Sequence, residues 1–411
     1  MREARVIRNE INGVKIFGNE SFVVDTIASS NVYEKDKLFL HEIHDSNIHY
    51  SPVISLVGVN ASGKTTALKL LSLTNELHLS GRSLNSTWIN QMRGNVEGLL
   101  SSEIVLTSYI SYRNDLIKID STIKQSSLLD QKNIYEVVEE KIWKKSFKNI
   151  SKKELFTFKS SDYVTSKMDM EAKHVIVSND ISILKYFIKL SYANVLEQRS
   201  LVYDLTTLFD DYRGLLESSI DENYAKYLDP SIDIIALKES DKDQYRFEFK
   251  KKSDSKSITT NIEGLNNILS AGTIRGLNIM SYVKNALVLG GMVFIDEIES
   301  HLNKAIIADI VKLFYSKQTN PFGAVLIFSS HYVELLDFVN RTDSIYILEK
   351  GKKGNLNKLL NFNSVIKRKD LKKSEAFISN SLDVSSVPQR KLMKSVELSI
   401  LNRLKEVKEE I

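Results

Sequence analysis

Val53-Ile54-Ser55-Leu56-Val57-Gly58-Val59-Asn60-Ala61-Ser62-Gly63-Lys64-Thr65-Thr66 sets the architecture of this chain. A short apolar run ends in a loop of the form Gly58-x-x-x-x-Gly63-Lys64-Thr65, and Ala67-Leu68-Lys69-Leu70-Leu71 then continues as a helical pattern. Runs apolar at nearly every position fit buried parallel strands covered on both faces. The glycines let the backbone wrap a phosphate, and the following helix aims its free N–H groups at the anion. Lys64 would neutralise β- and γ-phosphates, and Thr65 would offer its hydroxyl to Mg²⁺. Gly58, Asn60, Ala61, Ser62, Gly63, Lys64, Thr65 and Thr66 are therefore the expected nucleotide-binding residues.

Two more runs of this kind end in reactive groups. Met292-Val293-Phe294-Ile295 leads into Asp296-Glu297, and Ala324-Val325-Leu326-Ile327-Phe328 leads into Ser329-Ser330-His331. Ile345-Tyr346-Ile347-Leu348 reads as a fourth strand. In open parallel sheets ligands collect at the carboxyl ends of the strands, where all three polar groups fall. Asp296 is expected to hold the Mg²⁺ shell, and Glu297 to position and deprotonate the attacking water. His331, thirty-five residues after Asp296, could donate a hydrogen bond to the γ-phosphate without a permanent charge.

A fourth element, Leu269-Ser270-Ala271-Gly272-Thr273, opens a helix through Leu277, Met280, Val283 and Leu287. A serine hydroxyl, a small backbone and a helix N-terminus form a second anion-binding element. One nucleotide site already has its cradle. A second cradle makes sense if it covers the γ-phosphate from across a dimer interface.

More than two hundred residues separate the first strand from the other two. Their first part reads as β-rich, at Glu103–Leu106, Leu116–Ile119 and Lys141–Trp143. A helical stretch is expected over roughly 178 to 228, where Leu184, Phe187, Ile188, Val195, Leu205, Leu208 and Phe209 recur mostly at three- and four-residue steps. Ile232–Leu237 and Tyr245–Phe249 then read as strands, with the hydrophilic run Lys250–Lys256 as a turn.

These four elements, in this order, resemble the ATP-binding-cassette ATPase fold, in its soluble SMC-like branch rather than in transporter subunits. Leu269-Ser-Ala-Gly-Thr-Ile-Arg-Gly-Leu, Phe294-Ile-Asp-Glu-Ile-Glu-Ser-His-Leu and Phe328-Ser-Ser-His look most like the stand-alone "AAA family" ATPases of bacterial defence loci. Those include abortive-infection ATPases and the ATPase portions of overcoming-lysogenisation-defect nucleases. The resemblance covers about residues 1–75 and 260–380. It implies an α/β fold of the ABC-type P-loop NTPase kind, with a mostly parallel core sheet, an antiparallel β subdomain and a helical insertion. Residues 1–411 would form one such domain: 1–165 as P-loop and β-rich lobe, 166–230 as helical insertion, 231–380 as the signature, Walker B and switch-histidine lobe, and 381–411 as a C-terminal helical tail.

The same resemblance implies ATP and Mg²⁺ as ligands and hydrolysis to ADP and phosphate. Lys64, Glu297 and His331 form its catalytic set, with Thr65 and Asp296 as metal ligands. Ser270 and Gly272 become the signature turn, His331 the switch histidine, and Ser300-His301-Leu302-Asn303 the D-loop crossing a dimer interface. The implied assembly is a homodimer, or a higher oligomer, closed around two ATP molecules. Two departures stand out. No glutamine has the setting of a Q-loop, Gln91 and Gln125 being the candidates, and Asn303 stands where an aspartate is common. About eighty residues follow His331, without a clustered acidic ligand pattern, so nuclease or toxin chemistry is expected from an effector protein in trans.

Composition narrows the alternatives. Of 411 residues 42% are hydrophobic and 26% charged, ordinary for a soluble globular protein. The absence of cysteine excludes disulfides, thiolate zinc sites and a cysteine nucleophile. The sequence shows neither a signal-peptide core nor an 18-residue apolar run, so no membrane association and a cytoplasmic location are expected. The 56 basic and 52 acidic residues are too balanced to announce a nucleic-acid partner. A DNA-repair or recombination ATPase clamping DNA would need a long coiled coil or a strongly basic face, and neither is evident. A nucleotide-gated scaffold with slow hydrolysis would use the same residues as a faster ATPase.

Overall fold

The computed structural model describes every residue except 1–3, 19–20, 30, 44–45, 87–88, 90–95, 128–132, 149, 193–200, 207–220, 239–245, 301, 352–355, 367–370, 380–392, 395 and 402–411. Strands β1 (Ala4–Val14) and β2 (Phe22–Asp25) come first, then a short pair, β3 (His41–Glu42) and β4 (His49–Tyr50). β5 (Val53–Gly58) runs through the glycine loop into α1 (Lys64–Asn75). Next come β6 (Leu100–Tyr112), β7 (Asp115–Ser127), β8 (Asn133–Ser146), β9 (Tyr163–Ser166), α2 (Lys167–Ala172), α3 (Leu184–Tyr192) and β10 (Val202–Asp204). A further group comprises α4 (Glu222–Leu228), β11 (Ile232–Lys238), β12 (Arg246–Lys251), β13 (Ile258–Thr260), α5 (Ile262–Ile268) and α6 (Ala271–Leu289). β14 (Met292–Ile295), α7 (Lys304–Tyr315), β15 (Val325–Ser330), β16 (Ile345–Glu349), β17 (Lys358–Asn361), α8 (Phe362–Val365) and α9 (Lys373–Ser379) close the order.

The fold is α/β, with a parallel-dominated core sheet ordered β10-β14-β15-β5-β16-β17, in which only β17 runs antiparallel to its neighbour. A second six-stranded sheet, β2-β1-β6-β7-β8-β9, is antiparallel throughout. Side chains on a strand alternate between faces, and the core strands show the consequence. Ile54, Leu56, Met292, Phe294, Val325, Ile327, Tyr346 and Leu348 join one apolar cluster, shared with α1 and the antiparallel sheet. Val53, Val57, Val293, Ile295, Leu326, Phe328, Ile345 and Ile347 join the other, beneath α6 and α7. Both faces are therefore dry, which is why these strands read as unbroken apolar runs rather than as alternating ones.

Helix α1 lies between the two sheets and is buried almost all round. A π turn at Glu76–Ser80 continues it and carries His78 into the antiparallel sheet. There Nδ1 of His78 sits 2.7 Å from Ser108 Oγ and Nε2 sits 2.9 Å from Ser121 Oγ, with Glu140 accepting from Ser121. Complete burial pushes the His78 imidazole down to about 3, so a neutral ring fastens the helix to the sheet.

A smaller lobe has its own core, in which Ala225, Ile232, Ile235, Phe247, Phe249, Leu265, Leu269 and Leu277 pack together. It consists of α4, the sheet β11-β12-β13, α5 and the start of α6. The strand expected at 232–237 is β11, and that expected at 245–249 is β12 from Arg246 on, Tyr245 lying outside the described residues. The run Lys250–Lys256, expected as a turn, begins on β12 and continues into the connection to β13.

The helical stretch expected over 178–228 needs correction. α3 and α4 occupy its ends, but between them β10 joins the core sheet beside β14, pairing Val202 with Met292 and Asp204 with Phe294. Leu205, counted on a helical stripe, instead donates its N–H to Phe294 O at 2.8 Å. Three residues are too few to show a strand period, so neighbouring apolar residues at helical steps masked it. Val195, Leu208 and Phe209 lie outside the described residues.

The tail expected at 381–411 also falls largely outside them. Its described residues 393–394 and 396–401 are helical. Among the described residues no helix is long and apolar enough to cross a membrane. The basic run at Lys144–Lys148 is partly engaged within the fold, with Lys144 3.8 Å from Asp115 and Lys145 donating to the carbonyls of Glu154 and Thr157.

Candidate functional site

β5, β14 and β15 are adjacent and parallel, so their carboxyl ends deliver the glycine loop, Asp296-Glu297 and Ser329 to one place. The loop needs its glycines. Gly63 has φ of 98°, a left-handed conformation that side-chain-bearing residues rarely adopt. Gly58 ends β5 against β16, where a Cβ would lie 2.5 Å from Leu348 O and 2.7 Å from Ser62 Oγ. The first obstacle is backbone and cannot step aside. Gly58→Ala is therefore expected to lower the melting temperature by several degrees and to weaken nucleotide binding at least ~10-fold. Thermal shift with and without Mg-ATP checks this; an unchanged melting curve would show that the junction has slack.

Lys64 turns back over the loop and donates to Gly58 O at 2.8 Å and Val59 O at 3.0 Å. Burial lowers its pKa, while Asp296, Glu297 and Glu299 act in the opposite direction. Thr65 donates its hydroxyl to Asp296 Oδ2 at 2.6 Å, and Ser329 donates to Asp296 Oδ1. The Thr65–Asp296 pair sets two hard oxygen donors side by side. That donor set suits Mg²⁺, which commonly takes one or two protein oxygens and completes its shell with water and substrate phosphates.

Glu297 follows with φ of 44°, one of four described non-glycine residues with positive φ. Its N–H donates to Ser329 Oγ at 2.9 Å, so Ser329 holds both acids by their adjoining groups. Strain of this kind costs about 1–3 kcal/mol and persists where the surroundings overdetermine it. A cavity of about 390 Å³ results, lined by Ile16, Asn60, Ala61, Gly63, Lys64, Thr65, Thr66, Leu99, Glu297 and Asn357. Asn357 pins the loop from outside, donating to Ser62 O at 2.9 Å.

His331 follows β15, where Ser330 pairs with Val57, so it comes alongside Gly58. It does not line the cavity. Its Nδ1 lies 2.7 Å from Glu299 Oε1, which also accepts the His331 backbone N–H at 2.8 Å. Ser270 caps α6, accepting the Thr273 N–H at 3.0 Å, and is exposed; neither it nor Gly272 lines the cavity. Asn303 caps α7 through the Ala305 N–H at 2.9 Å. Of the two Q-loop candidates, Gln91 lies outside the described residues and Gln125 sits exposed on β7 of the antiparallel sheet.

Several contributors carry no sequence signal of their own. Ser329 and Glu299 lie inside the resembling stretches Phe328–His331 and Phe294–Leu302 but have no role assigned there, and Asn357 belongs to no motif. Arg275, on the first turns of α6, reaches Asp296 O at 3.4 Å. Asp204 ends β10 beside β14 and accepts from Thr206 N and Oγ1 at 2.7 and 2.6 Å. Burial pushes its carboxyl above the ordinary range, with the Lys69 ammonium acting against it. The pairing of β10 with β14 sets this acid opposite Phe294, two residues before Asp296.

No curated protein matches the chain. The sequence model of the family described as "AAA domain, putative AbiEii toxin, Type IV TA system" matches residues 53–337, from the first strand of the core to just past the histidine. That span covers well over half of the chain, so the chain belongs to this family of AAA-type ATPases of the abortive-infection kind.

Proposed function

We propose that this chain binds Mg-ATP in the cavity above β5 and hydrolyses it to ADP and phosphate. A second copy completes each site, and the assembly acts as a nucleotide-gated regulator of a separate effector, a nuclease or toxin, in anti-phage defence in the cytoplasm. The observation that carries the reading is the convergence of Lys64, Thr65 and Glu297 on one cavity, with Asp296 bonded to Thr65. The loop N–H groups and Lys64 would bind and orient the phosphates, Lys64 exchanging its carbonyl partners for them. Mg²⁺, held by Thr65 and Asp296, would supply charge compensation between the phosphates. Glu297 would take the proton from the attacking water as the phosphorus–oxygen bond to the leaving ADP breaks.

Ser270 and Gly272 support the dimeric part of the reading. Their turn has the chemistry of an anion cradle yet stands exposed on a lobe with its own core, off the cavity. A partner's signature turn would close each site over the γ-phosphate, and ATP would favour the closed form by its differential affinity. Phosphate release from Mg-ATP and solution mass with and without ATP test the two parts separately. Steady release and a mass of at least two copies with ATP are expected. No release sinks the enzymatic reading; a single-copy mass at saturating ATP sinks the shared site.

A further inference from the structure

We propose that Glu299 is a positioning residue for ATP hydrolysis, holding the His331 ring by Nδ1 so that Nε2 is the nitrogen left for the nucleotide. The proposal rests on the ATPase reading above and adds a residue to it. Three observations carry it. First, one carboxylate oxygen takes two bonds from a single histidine: Glu299 Oε1 accepts the His331 backbone N–H at 2.8 Å and lies 2.7 Å from Nδ1. An oxygen already accepting from the backbone pairs with Nδ1 as an acceptor again, so Nδ1 carries the proton. Second, the ring has support on another side, since Tyr332 packs against it in a T-shaped arrangement with centroids 4.5 Å apart. Third, the Glu299 side chain is only 3% exposed, against 38% for His331, and its Oε2 is buried without a hydrogen-bond partner. A buried unpaired carboxylate oxygen is costly. The Glu299 charge also acts on Lys64 and Arg275, but both hydrogen bonds at Oε1 go to His331.

The chemistry follows from the tautomer. A neutral ring with Nδ1–H committed to Glu299 presents a lone pair at Nε2. It donates to a phosphate from Nε2 only when it holds a second proton. A carboxylate behind an imidazole fixes its orientation and stabilises the imidazolium form as charge develops in front of it. The uncharged donation expected of His331 from sequence is therefore not available while its Nδ1–H is held by Glu299, three residues beyond Asp296, and donation from Nε2 would be that of the doubly protonated ring.

The test uses the full chain and the variants Glu299→Gln, Glu299→Asp, His331→Ala and the double variant Glu299→Gln/His331→Ala. With Mg-ATP, Glu299→Gln is expected to lower kcat about 10- to 100-fold while KM stays within about twofold, and Glu299→Asp to recover part of the loss. The double variant should be no slower than His331→Ala alone, because Glu299 acts through that ring. A Glu299→Gln rate within twofold of the parent chain overturns the proposal, as do losses that multiply in the double variant. Nitrogen-15 NMR of the histidine rings, with His331 assigned by its absence in His331→Ala, reads the contact without any turnover. A proton on Nδ1 in the parent chain is expected; a neutral ring protonated on Nε2 instead overturns the proposal even if Glu299→Gln fails to fold. A parent chain that releases no phosphate brings down the ATPase reading, and the ring spectrum still decides the Glu299 contact.

Discussion

Glu297→Gln is expected to slow ATP turnover by about 10²- to 10³-fold while the nucleotide stays bound. The substitution keeps side-chain length and leaves the backbone as it is, with φ of 44° and its N–H on Ser329 Oγ at 2.9 Å. Only the ability to accept a proton is lost, and general-base catalysis contributes about 10²–10⁴. Lys64 and the Thr65–Asp296 pair remain, so affinity for Mg-ATP is expected within a few-fold of the parent. Unhydrolysed ATP should also accumulate the closed assembly. Rapid-quench turnover and equilibrium dialysis measure the two quantities. Hydrolysis at the parental rate would falsify the assignment of the base.

Two inactive chains should restore activity when mixed. Lys64→Ala removes the cation that folds over Gly58 and Val59, and Ser270→Arg blocks the exposed cap of α6. Each is expected to lose about 10²-fold or more in turnover alone, through loss of phosphate contacts that a charge-assisted donor supplies. If the cavity of one copy is closed by Ser270 of the other, a mixed dimer has one doubly damaged site and one intact site. Random exchange in an equal mixture then gives about a quarter of the parental rate, provided that the sites fire independently. Titrating one variant against the other checks this. A mixture no faster than its components shows that Ser270 does not serve a second copy's site.

The cavity's main pieces were legible because each combines a strand pattern with a polar terminus. β5, β14, β15 and β16 are buried on both faces, and such strands announce themselves as short apolar runs. Glycine, lysine and threonine at fixed offsets after β5 carry their geometry with them, and Ser270 sits where a helix cap is expected and found. β10 was hidden because its three residues pair with β14 only through the folded sheet, leaving no local period. Ser329 and Glu299 act through contacts 33 and 32 residues away, to Asp296 and His331. Serine and glutamate are common enough that no spacing singles them out. His78 is a similar case: its partners Ser108 and Ser121 are 30 and 43 residues distant, and its burial is a property of the packed sheets.

The strand order of the core sheet has a consequence for how the protein is made. β5 lies between β15 and β16, so the strand carrying the glycine loop leaves the ribosome well before either neighbour. At roughly 5–20 residues per second, the gap of more than 260 residues between β5 and β15 corresponds to a wait of tens of seconds. Throughout that interval a mostly apolar strand has no native partner, while the antiparallel sheet can already form around α1. A nascent chain is therefore expected to require holding by chaperones over this window. It should gain protection of Val53–Gly58 from proteolysis only after residue 349 has emerged, which stalled-ribosome lengths on either side of that point can resolve.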